Sequence, residues 1–306
     1  MELPYIKSFR AFLQLEKGLS AASIEAYLQD LSKLLQFMKI HELNRGLSEL
    51  LLKDLQDFIA YLNELGLSIN SQARIVSSLK AFFRYLVIEE VIADDPALLL
   101  SAPKLARSLP SVLSYQEIEQ LIAAIDHSKK QGTRNRAIIE VLYACGLRVS
   151  ELTHLKLSNM YLHIGFIKVI GKGNKERMIP IGEQAIKHLN FYLQDRNQMP
   201  NIKLASEDIV FLNRRGGQLT RNMIFIIIKE LAIRAGIDKK VSPHTFRHSF
   251  ATHLIEGGAN LRVVQDLLGH KSIVTTEIYT HLDMGYLTDT INRFHPRNQS
   301  ELKTKD

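Results

Sequence analysis

Residues 242–253 read Ser-Pro-His-Thr-Phe-Arg-His-Ser-Phe-Ala-Thr-His, three histidines and an arginine in twelve positions. His244 and His248 stand one helical turn apart, a spacing at which two imidazoles can share a metal ion. Their surroundings oppose that chemistry. A zinc-peptidase helix carries a glutamate beside its first histidine, whereas here Arg247 takes the neighbourhood, no Asp or Glu lies between residues 239 and 255, and the single cysteine, Cys145, is remote in sequence. An anion fits better. Ser242 is a helix cap and Pro243 suits a first turn, so His244 and Arg247 start a helix, whose N-terminus favours negative charge. Arginine's planar fork matches phosphate oxygens and stays charged. His248 and His253 read as packing or capping residues.

Four other stretches share this character. In Cys-Gly-Leu-Arg-Val-Ser-Glu-Leu, 145–152, Gly146 ends one helix, and Arg148 and Glu151 enter the next. The pair is either a surface ion pair or an arginine aimed into a cleft and steadied by its carboxylate. Lys172 sits between two glycines in a hairpin; no Ser or Thr follows it, so this is not a Walker A loop. Asn260 to Gly269 reads as a capped helix with His270 on its exit turn, either a dipole partner or a site group. Tyr279 follows nine positions later.

Together these residues suit phosphoryl transfer without a metal. Two arginines neutralise non-bridging oxygens, a lysine is a credible acid for a leaving sugar oxygen, and a tyrosine is a nucleophile. A phenol of pKa about 10 is ionised roughly one part in a thousand at pH 7, a deficit of about 4 kcal/mol that a neighbouring base and several cations can supply.

The elements that must carry these residues fall into two parts. Through Arg107 there are 12 Lys+Arg and 13 Asp+Glu; the remainder has 27 and 19, so the whole net charge of +7 belongs to the second part. A basic part of that kind attracts polyanions, nucleic acid first among them. In the first part, apolar positions at Ile24, Tyr27, Leu28, Leu31, Leu34, Leu35 and Met38, at Leu51, Leu55, Phe58, Ile59 and Leu62, and at Ile75, Leu79, Phe82, Phe83 and Leu86 predict amphipathic helices in a small bundle, with Ser20 as a cap and Gly66 as a stop. Pro96, Pro103 and Pro110 interrupt any helix between the parts. Ser114 and Glu117 form a capping-box pattern opening the second. The expected division is a helical domain over 1–95, a linker over 96–113, a catalytic domain over 114–298 and a polar tail over 299–306. The second domain is mostly helical, with a hairpin from Phe166–Ile170 and Glu176–Ile181. One cysteine suits a reducing compartment, and the longest apolar run, Met223 to Ile228, is too short for a bilayer, so a cytoplasmic protein with no membrane association is expected.

The motifs Gly-Leu-Arg-Val-Ser-Glu-Leu (146–152), Gly-Lys-Gly-Asn-Lys-Glu-Arg (171–177), Ser-Pro-His-Thr-Phe-Arg-His-Ser-Phe-Ala-Thr-His-Leu (242–254) and Leu-Arg-Val-Val-Gln-Asp-Leu-Leu-Gly-His-Lys-Ser-Ile-Val-Thr-Thr-Glu-Ile-Tyr-Thr-His-Leu (261–282), in this order, resemble the tyrosine site-specific recombinases of the XerC/XerD group, on its XerD side. The resemblance spans nearly the whole chain. It implies a mainly α fold: an N-terminal SAM-like core-binding bundle and a mostly α catalytic domain with a small β-hairpin sheet, the two forming a C-shaped clamp on the duplex. It implies Tyr279 as nucleophile forming a 3′-phosphotyrosyl link, Arg148 and Arg247 gripping the scissile phosphate, and Lys172 as general acid for the leaving 5′-oxygen. It further implies His244 as proton acceptor, His270 stabilising the transition state, and Glu151 supporting the first arginine. Phe246 stands where leucine is expected.

The implied substrate is double-stranded DNA at a dif-type site near the nucleoid. The implied partners are a XerC-like recombinase in a heterotetrameric synapse and an FtsK-like translocase, and no metal, ATP or other cofactor is needed. In relatives a helix like that carrying Met284, Leu287, Ile291 and Phe294 docks on a neighbouring protomer, the alternative being packing on its own domain. The rival functions are an integrase or transposon recombinase, a non-catalytic DNA-binding regulator, and a metal-dependent hydrolase.

Overall fold

The Ser20 hydroxyl accepts the Ser23 backbone N–H, and the Ser68 hydroxyl that of Ser71, each satisfying an orphan donor where a helix must start. These caps open the two long helices of the first unit. In the computed structural model, which describes residues 5–43, 45–102, 111–171, 175–269 and 281–299, the chain divides into units of residues 1–108 and 109–306. Lys172, His270 and Tyr279, with Pro103, Lys104, Arg107 and Pro110 of the expected linker, lie outside the described residues.

The first unit consists of α1 (Ile6–Leu15), α2 (Ala21–Ile40), α3 (Leu52–Glu64) and α4 (Ile69–Ile88). The stripes read from sequence supply its core: Leu31, Leu34, Leu55, Phe58, Ile75, Leu79, Phe82, Phe83 and Leu86 are buried, joined by Phe9, Phe12 and Leu13 of α1. Leu51 departs from its stripe, since it caps α3 and is exposed. Asp30, fully buried on α2, accepts hydrogen bonds from Ser78 (2.8 Å) and Arg74 of α4, which ties the two long helices by a paired charge rather than leaving an uncompensated one.

The second unit runs α5 (Tyr115–Ala123), α6 (Gly132–Cys145), α7 (Val149–Thr153), strands β1 (Met160–Tyr161), β2 (Phe166–Ile170) and β3 (Glu176–Pro180), then α8 (Glu183–Asn197), α9 (Arg221–Arg234), α10 (Pro243–Glu256), α11 (Leu261–Leu268), α12 (His281–Phe294) and α13 (Pro296–Gln299). The fold is mainly α with a small antiparallel sheet, in the order β1-β2-β3. The predicted hairpin pairs Phe166 with Pro180 and Ile170 with Glu176; the two-residue strand β1 is too short to show a period in sequence.

Helix α6 is buried on every side from Ala137 to Cys145, the pattern of a central helix, and it packs against α8 and α10. The one charge within that buried stretch, Glu140, pairs with Arg136 one turn earlier (2.8 Å) and with Arg297 of α13 (Nε 3.0 Å). Leu287 and Ile291 of α12 are buried with Phe250, Leu254 and Leu267 of α10 and α11, so this helix packs on its own unit. Among the described residues no helix is long and apolar enough to cross a membrane.

Gly146 stops α6 with φ +56°, and a Cβ there would stand 2.5 Å from the Phe250 ring. Gly146→Ala is therefore expected to destabilise the full-length protein by about 2–4 kcal/mol, combining left-handed backbone strain with overpacking, measured by calorimetry. His295 is fully buried beneath α12, its Nε2 3.3 Å from the Tyr143 carbonyl. Burial pushes its pKa down to about 3, with His253 and Arg297 adding repulsion. The unfolded chain thus binds the extra proton below pH 6.5, so the His295 contribution is intact above that pH and lost as pH falls towards 3. Between pH 6.5 and 5 the unfolding free energy should drop by up to about 1.4 kcal/mol per pH unit from this group. His295→Gln should remove that part of the slope in denaturant titrations.

Candidate active site

The corner between α6 and α7 sets the first functional pair. After Gly146 the chain turns, Leu147 is buried, and Arg148 becomes the N-cap of α7 with Glu151 at its third position. The Glu151 carboxylate closes the cap by accepting the Arg148 backbone N–H (Oε2, 2.8 Å), and it also accepts the Arg148 guanidinium (Oε1, 2.9 Å). Of the two readings open in sequence, surface pair or steadied arginine, the geometry selects the second, because Glu151 is 3% exposed.

A third arginine, which the sequence reading did not single out, completes the arrangement. Arg177 on β3 donates Nη1 to Glu151 Oε1 (2.7 Å) and Nη2 to Oε2 (2.9 Å), the bidentate fork. Each carboxylate oxygen therefore accepts two hydrogen bonds. Burial raises the Glu151 pKa, but the hydrogen bonds and charge of Arg177, followed by the bonds from Arg148, outweigh it and hold the carboxyl below its usual range. A signal for Arg177 did exist: β3 alternates, and Arg177 shares the buried face with Ile179. A charge on the core face of a strand needs a partner.

The last turn of α11 gathers all three guanidiniums. Arg177 Nε donates to the Leu267 carbonyl (3.3 Å), Arg247 Nη2 to that of Leu268, and Arg148 Nη2 to that of Gly269 (3.4 Å). Arg247 also donates Nη1 to the Gly146 carbonyl (2.8 Å). Three successive carbonyls left without helical partners thus receive three cations, which satisfies the acceptors and complements the negative end of the helix. Gly269 takes φ +65°, and an added Cβ would lie 3.2 Å from Arg177, so a side chain there would strain the backbone and crowd the guanidinium.

Helix α10 begins as read, with Ser242 accepting from Thr245 and Pro243 in the first turn. His244 is exposed in that turn, three residues before Arg247 and so on the same side of the helix. His248 is also exposed, whereas His253 is buried with Nδ1 2.8 Å from the Tyr143 hydroxyl. Among the described residues no three His, Cys, Asp or Glu are grouped to hold a metal ion. The site brings together Arg148, Glu151 and Arg247, with His244 on the helix of Arg247. Lys172, His270 and Tyr279 lie outside the described residues; Gly171 and Gly269, the chain neighbours of Lys172 and His270, both border Arg177.

Among the described residues three guanidiniums face one carboxylate, an excess of positive charge. Burial, then the nearby Arg148, push Arg247 down to a pKa of about 10. It stays protonated at neutral pH, and an anion bound between Arg148 and Arg247 would relieve both the desolvation and the repulsion. A phosphate diester is an anion of that kind.

The chain matches the Phage integrase family over residues 111–285 and the Phage integrase N-terminal SAM-like domain over residues 6–90. It is 44% identical over 292 residues to the tyrosine recombinase XerD of Listeria monocytogenes serotype 4b (strain F2365), covering 95% of this chain and 98% of that protein. It is 43% identical over 295 residues to the XerD of Chlorobaculum tepidum, covering 95% and 96%. The crystal structure of XerH site-specific recombinase bound to palindromic difH substrate, in a post-cleavage complex, aligns with a TM-score of 0.70 at 25% identity, covering 94% of this chain and 84% of that one. A lambda integrase dimer bound to a COC' core site shares the fold, with a TM-score of 0.68 at 18% identity over 90% of this chain and 97% of that one. With both of its units matched in order and relatives alike over almost their full length, the chain belongs to the phage integrase family of tyrosine recombinases.

Proposed function

We propose that this chain is a XerD-like recombinase that cuts and rejoins double-stranded DNA at a dif-type chromosomal site. The observation that carries the proposal is the convergence of Arg148 and Arg247 on the end of α11, steadied by Glu151, with a net positive charge and, among the described residues, no second carboxylate to quench it. The two guanidiniums hold the non-bridging oxygens of the scissile phosphate as charge builds on them. The Tyr279 oxygen attacks phosphorus, forming a 3′-phosphotyrosyl ester; the P–O bond to the 5′-oxygen breaks, and Lys172 donates a proton to that oxygen. His244 takes the phenolic proton, and His270 donates a hydrogen bond to the phosphate. The ester keeps the energy of the broken diester, so the 5′-hydroxyl of another strand can reseal it without ATP.

The likeness to XerD proteins supports the rest of the assignment. A XerC-like partner completes a heterotetrameric synapse, strand exchange passes through a Holliday junction and converts chromosome dimers to monomers, and an FtsK-like translocase activates it. The surplus of positive charge after Arg107 suits a unit that steers onto the phosphate backbone.

On a nicked dif-like duplex from the source genome, in EDTA, the unchanged protein should give a slow SDS-resistant protein–DNA band, and Tyr279→Phe should give none while still binding the duplex. The band's absence with the XerC-like protein also present would reject the proposal. Arg247→Ala should lower the cleavage rate by about 10²–10³-fold. Arg247→Lys should recover little of it, since one ammonium cannot reach Gly146, Leu268 and a phosphate together. Single-turnover rates at saturating protein read both.

A further inference from the structure

Arg177 lies where the parts of the site meet, and nothing in the strand-cleavage scheme above uses it. All three of its guanidinium nitrogens are already bonded within the protein, so the group is committed there rather than offered to a ligand. Its Nη1 and Nη2 fill one side of the Glu151 carboxylate and its Nε reaches the Leu267 carbonyl. On β3 it pairs in register with Val169 of β2. The hairpin closes above it, Gly171 N–H donating to the Lys175 carbonyl at 2.7 Å, and a Cβ on Gly171 would stand 3.6 Å from Arg177 Nη1 and 3.7 Å from Glu151 Oε1. One side chain thus bonds the carboxylate that orients Arg148 and the helix end that precedes His270, and borders Gly171, the residue before Lys172.

We infer that Arg177 is a positioning residue for strand cleavage, clamping Glu151 to the last turn of α11 so that Arg148 and the hairpin are held in one geometry. The inference rests on the recombinase reading above. Without Arg177, Glu151 keeps only its bonds to Arg148, the carboxylate is free to turn, and Arg148 loses the fixed side of its support. The helix end loses one of three cations and Gly269 loses the contact that seats its turn. Lysine is no substitute, because a single ammonium cannot give two parallel bonds to a carboxylate and a third to a carbonyl. The effect belongs to the chemical step, since the guanidinium nitrogens of Arg177 are all engaged by Glu151 and Leu267 and not by groups that would hold DNA.

The test uses the full-length protein and the nicked duplex, comparing the unchanged chain with Arg177→Ala, Arg177→Lys, Glu151→Gln and the double variant Arg177→Ala/Glu151→Gln. Dissociation constants, single-turnover rates at saturating protein and unfolding midpoints are measured for each. The expected result is DNA affinity within about threefold of the unchanged chain and cleavage slowed by about 10–100-fold in Arg177→Ala, the usual loss when a group that orients an active residue is removed. Arg177→Lys should recover little, and the double variant should be no slower than the slower single, because both act through one contact. Arg177→Lys, which keeps charge and length, carries the comparison if the alanine variant melts at the assay temperature. Cleavage by Arg177→Lys equal to that of the unchanged chain would overturn the inference, as would additive losses in the double variant or a fall in affinity that accounts for the whole loss. No covalent band from the unchanged protein, with the XerC-like protein also present, would overturn the recombinase reading and this inference with it, a result distinct from any of the others.

Discussion

A buried carboxylate with every acceptor position filled holds the catalytic unit together at its functional end. Glu151 accepts four hydrogen bonds, two from Arg148 and two from Arg177. Such a charge out of water is costly unless fully paired, and removing one partner leaves the penalty behind. The pairing also dictates geometry. It sets the angle at which α7 leaves α6, fixes the buried face of β3 against that corner and, through Arg177, brings the end of α11 alongside.

The end of α11 is the second half of the same device. Guanidiniums repel, and assembling three of them needs a source of negative potential that is not itself a mobile ion. The carbonyls of Leu267, Leu268 and Gly269 provide it, fixed in place by the helix behind them. Because carbonyls carry only partial charge, the arrangement organises the arginines without neutralising them. The depression of Arg247 to about 10 is a record of burial first and of that remaining repulsion second. In the proposed reaction the scissile phosphate fills the deficit, and the charge growing on it in the transition state meets donors that do not have to move.

The rest of the unit keeps these pieces from drifting. Helix α6, buried from Ala137 to Cys145, packs against α8 and α10 and delivers Gly146 to the point where Arg247 takes its carbonyl. Behind it, Tyr143 bonds His253, His295 approaches the Tyr143 carbonyl, and Glu140 holds Arg297, so α12 and α13 are joined to α6 by polar contacts as well as by Leu287 and Ile291. The first unit uses the same logic more simply: one buried carboxylate, Asp30, joins its two long helices, and aromatic and aliphatic stripes do the rest.

What the sequence determined by itself was local. The caps at Ser20, Ser114, Ser242 and Asn260, the stops at Gly66, Gly146 and Gly269, the helical stripes and the β2–β3 hairpin all follow from interactions within about four residues or from a strict period, and the Arg148–Glu151 pair follows from its spacing along one turn. The order of the motifs was enough to show the family. Tertiary structure alone decided through which contacts the distant groups meet, and that Arg177 is among them. Arg177 meets Glu151 across 26 positions, Arg247 meets the Gly146 carbonyl across 101, and Arg148 meets the Gly269 carbonyl across 121. No spacing rule encodes such meetings, because backbone carbonyls carry no residue identity and because the face an arginine presents depends on how strand and helix pack. Arg177 looked like one more basic residue in a charged hairpin; only its placement on the buried face of β3, against a carboxylate from another element, made it part of the site.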